Sequence, residues 1–156
     1  MAKKKTSKNK NRVDKPWGYY EDFYRGDEVV FKRIVVNPDE NVSYQVHKER
    51  DEFWYIAEGS AALIIKNEVA DVINAEERSY GMNGFYIQRM WPHGVKNVGT
   101  KPLVIYEMQF GKPNEDDIVR LQDKYGRADK IEESELENVT IVDNTKDTND
   151  ERKTEE

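Results

Sequence analysis

Short runs of β-branched and aromatic residues alternate with turn residues along most of this chain. They occupy 28–36, 43–47, 53–57, 61–66, 68–73, 84–88 and 103–110, and each has the length and composition of a strand. The separators Asn37-Pro38-Asp39, Glu58-Gly59-Ser60, Lys66-Asn67, Gly81-Met82-Asn83-Gly84 and Val98-Gly99-Thr100 supply the Gly, Asn, Asp and Pro that tight turns need. Short strands in this number, without a long helix between them, predict an all-β sandwich or barrel. Closure as a jelly roll would remove exposed sheet edges. One short C-terminal helix is predicted after Lys112-Pro113-Asn114. There Asn114 can cap, Glu115, Asp116 and Asp117 favour the positive end of the helix dipole, and Ile118 and Leu121 would share a face.

A length of 156 residues fits one domain with a modest core. Both ends have too few apolar residues to bury, so the folded body is expected over 13–130, between a basic disordered tail at 1–12 and an acidic, disordered tail at 131–156. Within the acidic tail, 139–142 is the stretch able to form a strand. The net charge is −6, yet 1–12 carries six basic residues and 131–156 carries ten acidic residues against three basic, which leaves about −5 on the body. An acidic body argues against nucleic-acid binding, which needs clustered basic surface. Polar residues follow Met1-Ala2-Lys3-Lys4-Lys5, with neither a signal peptide nor a membrane span, so a cytoplasmic protein without a membrane partner is expected. The absence of cysteine removes disulfides, thiolate metal sites and cysteine nucleophiles, leaving nitrogen and oxygen as metal donors.

The chain has two histidines, and both stand beside other candidate ligands. In a strand through Ser43-Tyr44-Gln45-Val46-His47, alternation puts Gln45 and His47 on one face and Tyr44 and Val46 on the other. A turn over Lys48-Glu49-Arg50-Asp51 would then return Glu52 to the same region. His93, in Trp91-Pro92-His93-Gly94, reads as a turn residue that closes the site from the opposite wall. Two imidazoles, a carboxylate and an amide oxygen suit a borderline divalent ion such as Zn²⁺, Mn²⁺, Fe²⁺, Co²⁺ or Ni²⁺. The same spacing equally fits an exposed hydrogen-bonding face with a loop histidine, and spacing alone does not separate the two.

A set of motifs carries a resemblance to a known family. In order, they are Lys15-Pro16-Trp17-Gly18, Ser43-x-Gln45-x-His47-x-x-Arg50-x-Glu52-x-Trp54, Gly59, His93, Asn97 and Gly99. The closing stretch is Glu115-Asp116-Asp117-Ile118-Val119-Arg120-Leu121-Gln122-Asp123-Lys124-Tyr125-Gly126-Arg127. Through almost all of its expected body, the chain resembles the C-terminal cupin domain of type II mannose-6-phosphate isomerases. Those are bifunctional enzymes that also carry a mannose-1-phosphate guanylyltransferase domain. The resemblance implies a cupin jelly-roll barrel, a divalent metal, usually zinc, on Gln45, His47, Glu52 and His93, and a part for Arg50 in isomerisation. The implied reaction interconverts mannose 6-phosphate and fructose 6-phosphate through a cis-enediol, in mannose and polysaccharide metabolism. A phosphosugar substrate follows, and analogy with cupins suggests a homodimer.

Arginine forks match phosphate oxygens, which makes Arg50, Arg120 and Arg127 the substrate-binding candidates. Arg120 and Arg127 could instead pair with Asp116, Asp117 or Asp123. Glu107 lies in the 103–110 strand and is the candidate base, since an inward carboxylate is costly without a partner or a task. Glu49 and Lys96, on expected turns, are weaker candidates, and Trp17 and Trp54 read as core.

Two departures from the family bear on specificity. Pro92 directly precedes His93, where the family has a proline soon after the position matching Ile87, and Lys96 stands before Asn97, where an acid is common. These 156 residues hold no Gly-rich nucleotide-binding loop, so nucleotidyl transfer is not expected. Two other functions compete with the isomerase. One is a non-catalytic sugar-binding or regulatory cupin that keeps its metal. The other is an iron oxygenase built on two histidines and a carboxylate, against which Gln45 counts by filling a position that oxygen and substrate need.

Overall fold

Strand-forming residues dominate the computed structural model, which describes residues 11–77 and 83–130. The readings for the two tails, including 139–142, and for the first half of the 81–84 turn lie outside the described residues, apart from Asn11 and Arg12. The strands are β1 (Arg12–Lys15), β2 (Gly18–Arg25), β3 (Val29–Val36), β4 (Asn41–Val46), β5 (Arg50–Glu58) and β6 (Ser60–Ile65). They continue with β7 (Glu68–Asn74), β8 (Gly84–Ile87), β9 (His93–Asn97), β10 (Leu103–Gly111) and β11 (Val119–Gln122). One sheet runs β1-β2-β3-β10-β5-β8 and the other β11-β4-β9-β6-β7. Every pairing is antiparallel. Among the described residues no helix is long and apolar enough to cross a membrane.

Alternation along three adjacent strands explains where the core ends and the polar interior begins. Inward residues of β5 read Arg50, Glu52, Trp54, Ile56, and those of β10 read Leu103, Ile105, Glu107, Gln109. One strand passes from charged to apolar while its neighbour passes from apolar to charged. Antiparallel register sets Glu107 opposite Trp54 and Gln109 opposite Glu52, so the polar halves coincide. On the other side, β3 sets Ile34 against Ile105 and Lys32 against Glu107. Ile56, Leu63, Ile73, Ile87, Val95, Leu103 and Ile105 fill the apolar half at 0–1% exposure, and burial of this kind drives the collapse.

The seven expected runs are all strands, with shifted ends. Four strands were not foreseen: β1, β2, β9 and β11. Trp17 and Trp54 are core, at 6% and 1% exposure. Gly18 makes the β1–β2 turn possible: its φ is +146°, and a Cβ there would stand 2.0 Å from the Val35 carbonyl oxygen.

The expected C-terminal helix does not form. Asn114 caps a local turn instead, its Oδ1 accepting from the Asp116 N–H at 3.0 Å. Val119–Gln122 then pairs with β4, with Val119 opposite Val46 and Arg120 opposite Gln45. An isolated helix of this length is marginal, whereas the edge of β4 offers main-chain hydrogen bonds to a segment whose Ile118 and Val119 favour strand geometry.

Candidate metal centre and adjoining cavity

The two sheets bring their polar residues together between them. β4 leads into His47, β5 carries Glu52, and β9 begins at His93, which lies opposite Gln45 in the β4–β9 register. Ligand-capable atoms of His47, Glu52 and His93 all lie within 4.8 Å of one another, and each residue is 1% exposed. Nε2 of His47 stands 3.2 Å from Glu52 Oε1, and Nε2 of His93 stands 3.3 Å from Glu52 Oε2.

Main-chain carbonyls fix both rings. His47 Nδ1 is 2.5 Å from the Asp117 oxygen and His93 Nδ1 is 2.8 Å from the Trp91 oxygen. A carbonyl only accepts, so each Nδ1 carries the proton and each Nε2 turns a lone pair toward Glu52. Burial pushes the His47 pKa down to about 4, which keeps the ring neutral. Burial also opposes the charged form of Glu52, yet its carboxyl is held well below the ordinary value, with the Arg50 guanidinium at 2.9 Å supplying the permanent positive charge. His93 Nε2 is buried without a hydrogen-bond partner, a costly arrangement that a cation would relieve. The donor set therefore fits a divalent ion. Gln45 adjoins it with its amide nitrogen inward, 3.3 Å from His47 Nε2, while its oxygen accepts from Ser43 Oγ at 2.8 Å.

Arg50 connects this cluster to a cavity of about 280 Å³. Its Nε donates to Glu52 Oε1 at 2.9 Å, Nη2 lies 3.1 Å from His47 Nε2, and Nη1 donates to the Asn114 oxygen at 2.6 Å. Arg50, Glu107, Arg120 and Arg127 all border the cavity, so the structure brings these four candidates together. It does not bring in Glu49, which pairs with Lys112 at the surface, or Lys96, which lines a separate groove with Lys124. Arg127 also forks onto Asp123 at 2.6 and 3.0 Å, the structural role weighed for it. Arg120 Nε is buried without a partner.

Glu107 is 4% exposed. Trp54 Nε1 donates to its Oε2 at 2.8 Å and also reaches Glu52 Oε2 at 3.1 Å, while Gln109 donates to Oε1 at 2.7 Å. Burial, reinforced by Glu52 and opposed by Lys32 and Arg50, raises the Glu107 pKa to about 7.

Sequence reasoning missed Lys32 and Glu115. Alternation through Val30-Phe31-Lys32-Arg33-Ile34 puts Lys32 on the same side as two core residues, and that signal was available. Glu115 read as a helix-dipole acid. It accepts from Lys32 Nζ at 2.7 Å and from Arg25 Nη2 at 3.0 Å. Burial opposes its charge, but Lys32 and Arg25 bring its pKa down to about 2.

The family model described as Mannose-6-phosphate isomerase C-terminal matches residues 2–123. The chain is 37% identical over 118 residues to the mannose-1-phosphate guanylyltransferase ManC of Salmonella typhimurium, across 74% of this chain and 23% of that protein. It is 38% identical over 118 residues to the xanthan biosynthesis protein XanB of Xanthomonas campestris, across 75% and 24%. The chain thus spans about a quarter of the length of these relatives. Among solved structures, CapF of Staphylococcus aureus, a capsular polysaccharide assembling protein, superposes with a TM-score of 0.59 at 14% identity, over 72% of this chain and 34% of that one. A protein with a double-stranded β-helix domain from Klebsiella pneumoniae gives a TM-score of 0.54 at 13% identity, over 73% and 82%. The fold is accordingly the cupin double-stranded β-helix. The chain belongs to the mannose-6-phosphate isomerase C-terminal family.

Proposed function

We propose that the chain is a metal-dependent aldose–ketose isomerase that interconverts mannose 6-phosphate and fructose 6-phosphate. The charge of the cavity carries this reading. In a chain of net charge −6, the wall beside the histidine cluster holds Lys15, Lys32, Arg50, Arg120 and Arg127 against Glu107, Glu115 and Asp116. Arg50 is paired with Glu52, Lys32 with Glu115 and Arg127 with Asp123, while Arg120 Nε is without a partner, and this gathering of cationic donors suits a phosphorylated, oxygen-rich ligand. Family membership and relatives named for mannose phosphate chemistry and polysaccharide synthesis support the same reading.

His47, Glu52 and His93 would hold the divalent ion, and Gln45 would join them as a fourth donor once its amide turns over, releasing Ser43 and bringing the oxygen inward. Zinc is the first choice, and Mn, Co, Fe and Ni are compatible with the donor set. When bound, such an ion would supply a Lewis acid that offsets negative charge developing on the sugar oxygens. Arg120 and Arg127 anchor the phosphate. Arg50, held by Glu52 and the Asn114 carbonyl, orients the sugar oxygens near C1 and C2. Glu107 takes the proton from C2 of the open-chain aldose and returns it to C1, while the hydroxyl proton passes from O2 to O1, so the C1 carbonyl becomes a hydroxyl and the C2 hydroxyl a carbonyl. Trp54 holds the carboxylate in place, and a pKa near 7 suits both directions of transfer.

The test is a coupled assay for fructose 6-phosphate formed from mannose 6-phosphate. It uses metal-stripped protein reloaded with Zn²⁺, Mn²⁺ or Co²⁺, and His93→Ala as control. Metal-dependent turnover that the variant lacks is expected. No turnover with any metal, despite intact metal binding, would replace this reading with a sugar-binding cupin.

A further inference from the structure

We infer that Lys32 is a positioning residue for Glu107, and that Glu115 holds its ammonium between the two carboxylates. The inference rests on Glu107 being the base of the proposed isomerase. Lys32 and Glu107 face each other directly across the β3–β10 pair, and both point inward at 3% and 4% exposure. The Lys32 Nζ is 2.7 Å from Glu115 Oε1 and 3.8 Å from Glu107 Oε1, and it lies 4.6 Å from the centre of the Tyr20 ring. A buried ammonium is costly without partners, and here two carboxylates and an aromatic face share one.

The sharing is unequal, and that gives it a consequence. Were Lys32 fully paired with Glu107, the carboxylate would be too stabilised to accept a proton from carbon. Without Lys32, burial would favour the protonated form of Glu107 further and leave less of it able to accept. Glu115, anchored from outside by Arg25, draws the ammonium to the intermediate position observed.

Other charged groups border the same cavity or act on Glu107 from the surrounding elements. Arg50 and Glu52 come from β5, Glu115 and Asp116 from the segment before β11, and Arg120 from β11 itself. Lys15 at the β1–β2 turn, Tyr20 of β2 and Arg127 complete the wall. Lys32 and Glu115 exert opposite influences on Glu107, so their removal must have opposite effects.

The experiment follows the Glu107 carboxyl carbon by NMR in the metal-stripped full chain, with the resonance assigned by its loss in Glu107→Gln. Lys32→Met is expected to raise the Glu107 midpoint by about one unit or more, as loss of a nearby opposite charge should. Lys32→Arg should restore it, and Glu115→Gln should lower it. An unchanged midpoint in Lys32→Met, or an upward shift in Glu115→Gln, overturns the inference. Glu115 has a partly exposed side chain, so its variant keeps the test decisive if Lys32→Met fails to fold. In turnover, the acid limb of kcat/KM should move with the midpoint. Wild-type protein without turnover defeats the isomerase reading instead, while the carboxyl titration still decides the part played by Lys32.

Discussion

The imidazole of His47 is oriented by the main-chain carbonyl of Asp117, 70 residues further along the chain. The Asp117 side chain secures that meeting, accepting from the Lys48 N–H at 2.9 Å and the Glu49 N–H at 3.0 Å. Asp117→Ala should therefore loosen the ring while leaving every ligand in place. A fall in zinc affinity of about tenfold is expected, in line with losses at other metal-orienting partners, and chelator competition measures it.

Metal should stabilise the fold by binding a site that the unfolded chain lacks. At free zinc about 100 times its Kd, the gain is about 2.7 kcal/mol. Denaturant unfolding with and without zinc should show that gain in the wild type and lose most of it in His93→Ala. Equal gains in both proteins would place the ion elsewhere.

Glu107 gives stability a distinctive pH dependence. Its folded pKa of about 7 lies above the ordinary 4.5. Between these values the folded protein keeps a proton that the unfolded chain has released. The contribution of this group is therefore full below pH 4.5 and is lost as pH rises through 7. Urea unfolding of metal-stripped protein across this range should show wild type losing ground to Glu107→Gln, and parallel curves would refute the assignment. The same variant should cut isomerase turnover by about 100-fold or more.

Gly18→Ala tests the fold away from the chemistry. The added methyl meets the Val35 carbonyl oxygen at a backbone angle that alanine disfavours, so a loss of more than about 1 kcal/mol is expected in thermal or denaturant unfolding.

The legible parts of this molecule were those set by local alternation. Gln45 and His47 could be placed on one face because their spacing is short and strand-like, and their side chains do meet. The strand at His93–Asn97 was hidden by a proline, a histidine and a glycine in close succession, which read locally as a turn. Its place comes from pairing on both sides, with β4 and β6. The last strand was misread for a related reason. Asn114 and three acids make a good local helix start, and nothing in that stretch reveals that β4 has an edge to offer. Lys32 shows the opposite failure: its inward register was readable, but the carboxylates that make an inward lysine tolerable come from 75 and 83 residues away.

The matched reversal along β5 and β10 separates two kinds of physical demand along one axis. Apolar side chains that fill space sit at one end of the barrel, and the polar side chains of the histidine cluster and its cavity sit at the other. Replacing residues at the polar end changes what the molecule can recognise while leaving the hydrophobic end to maintain folding. A scaffold arranged this way can change its chemistry by substitution at a few inward positions, without rebuilding the sheets that carry them.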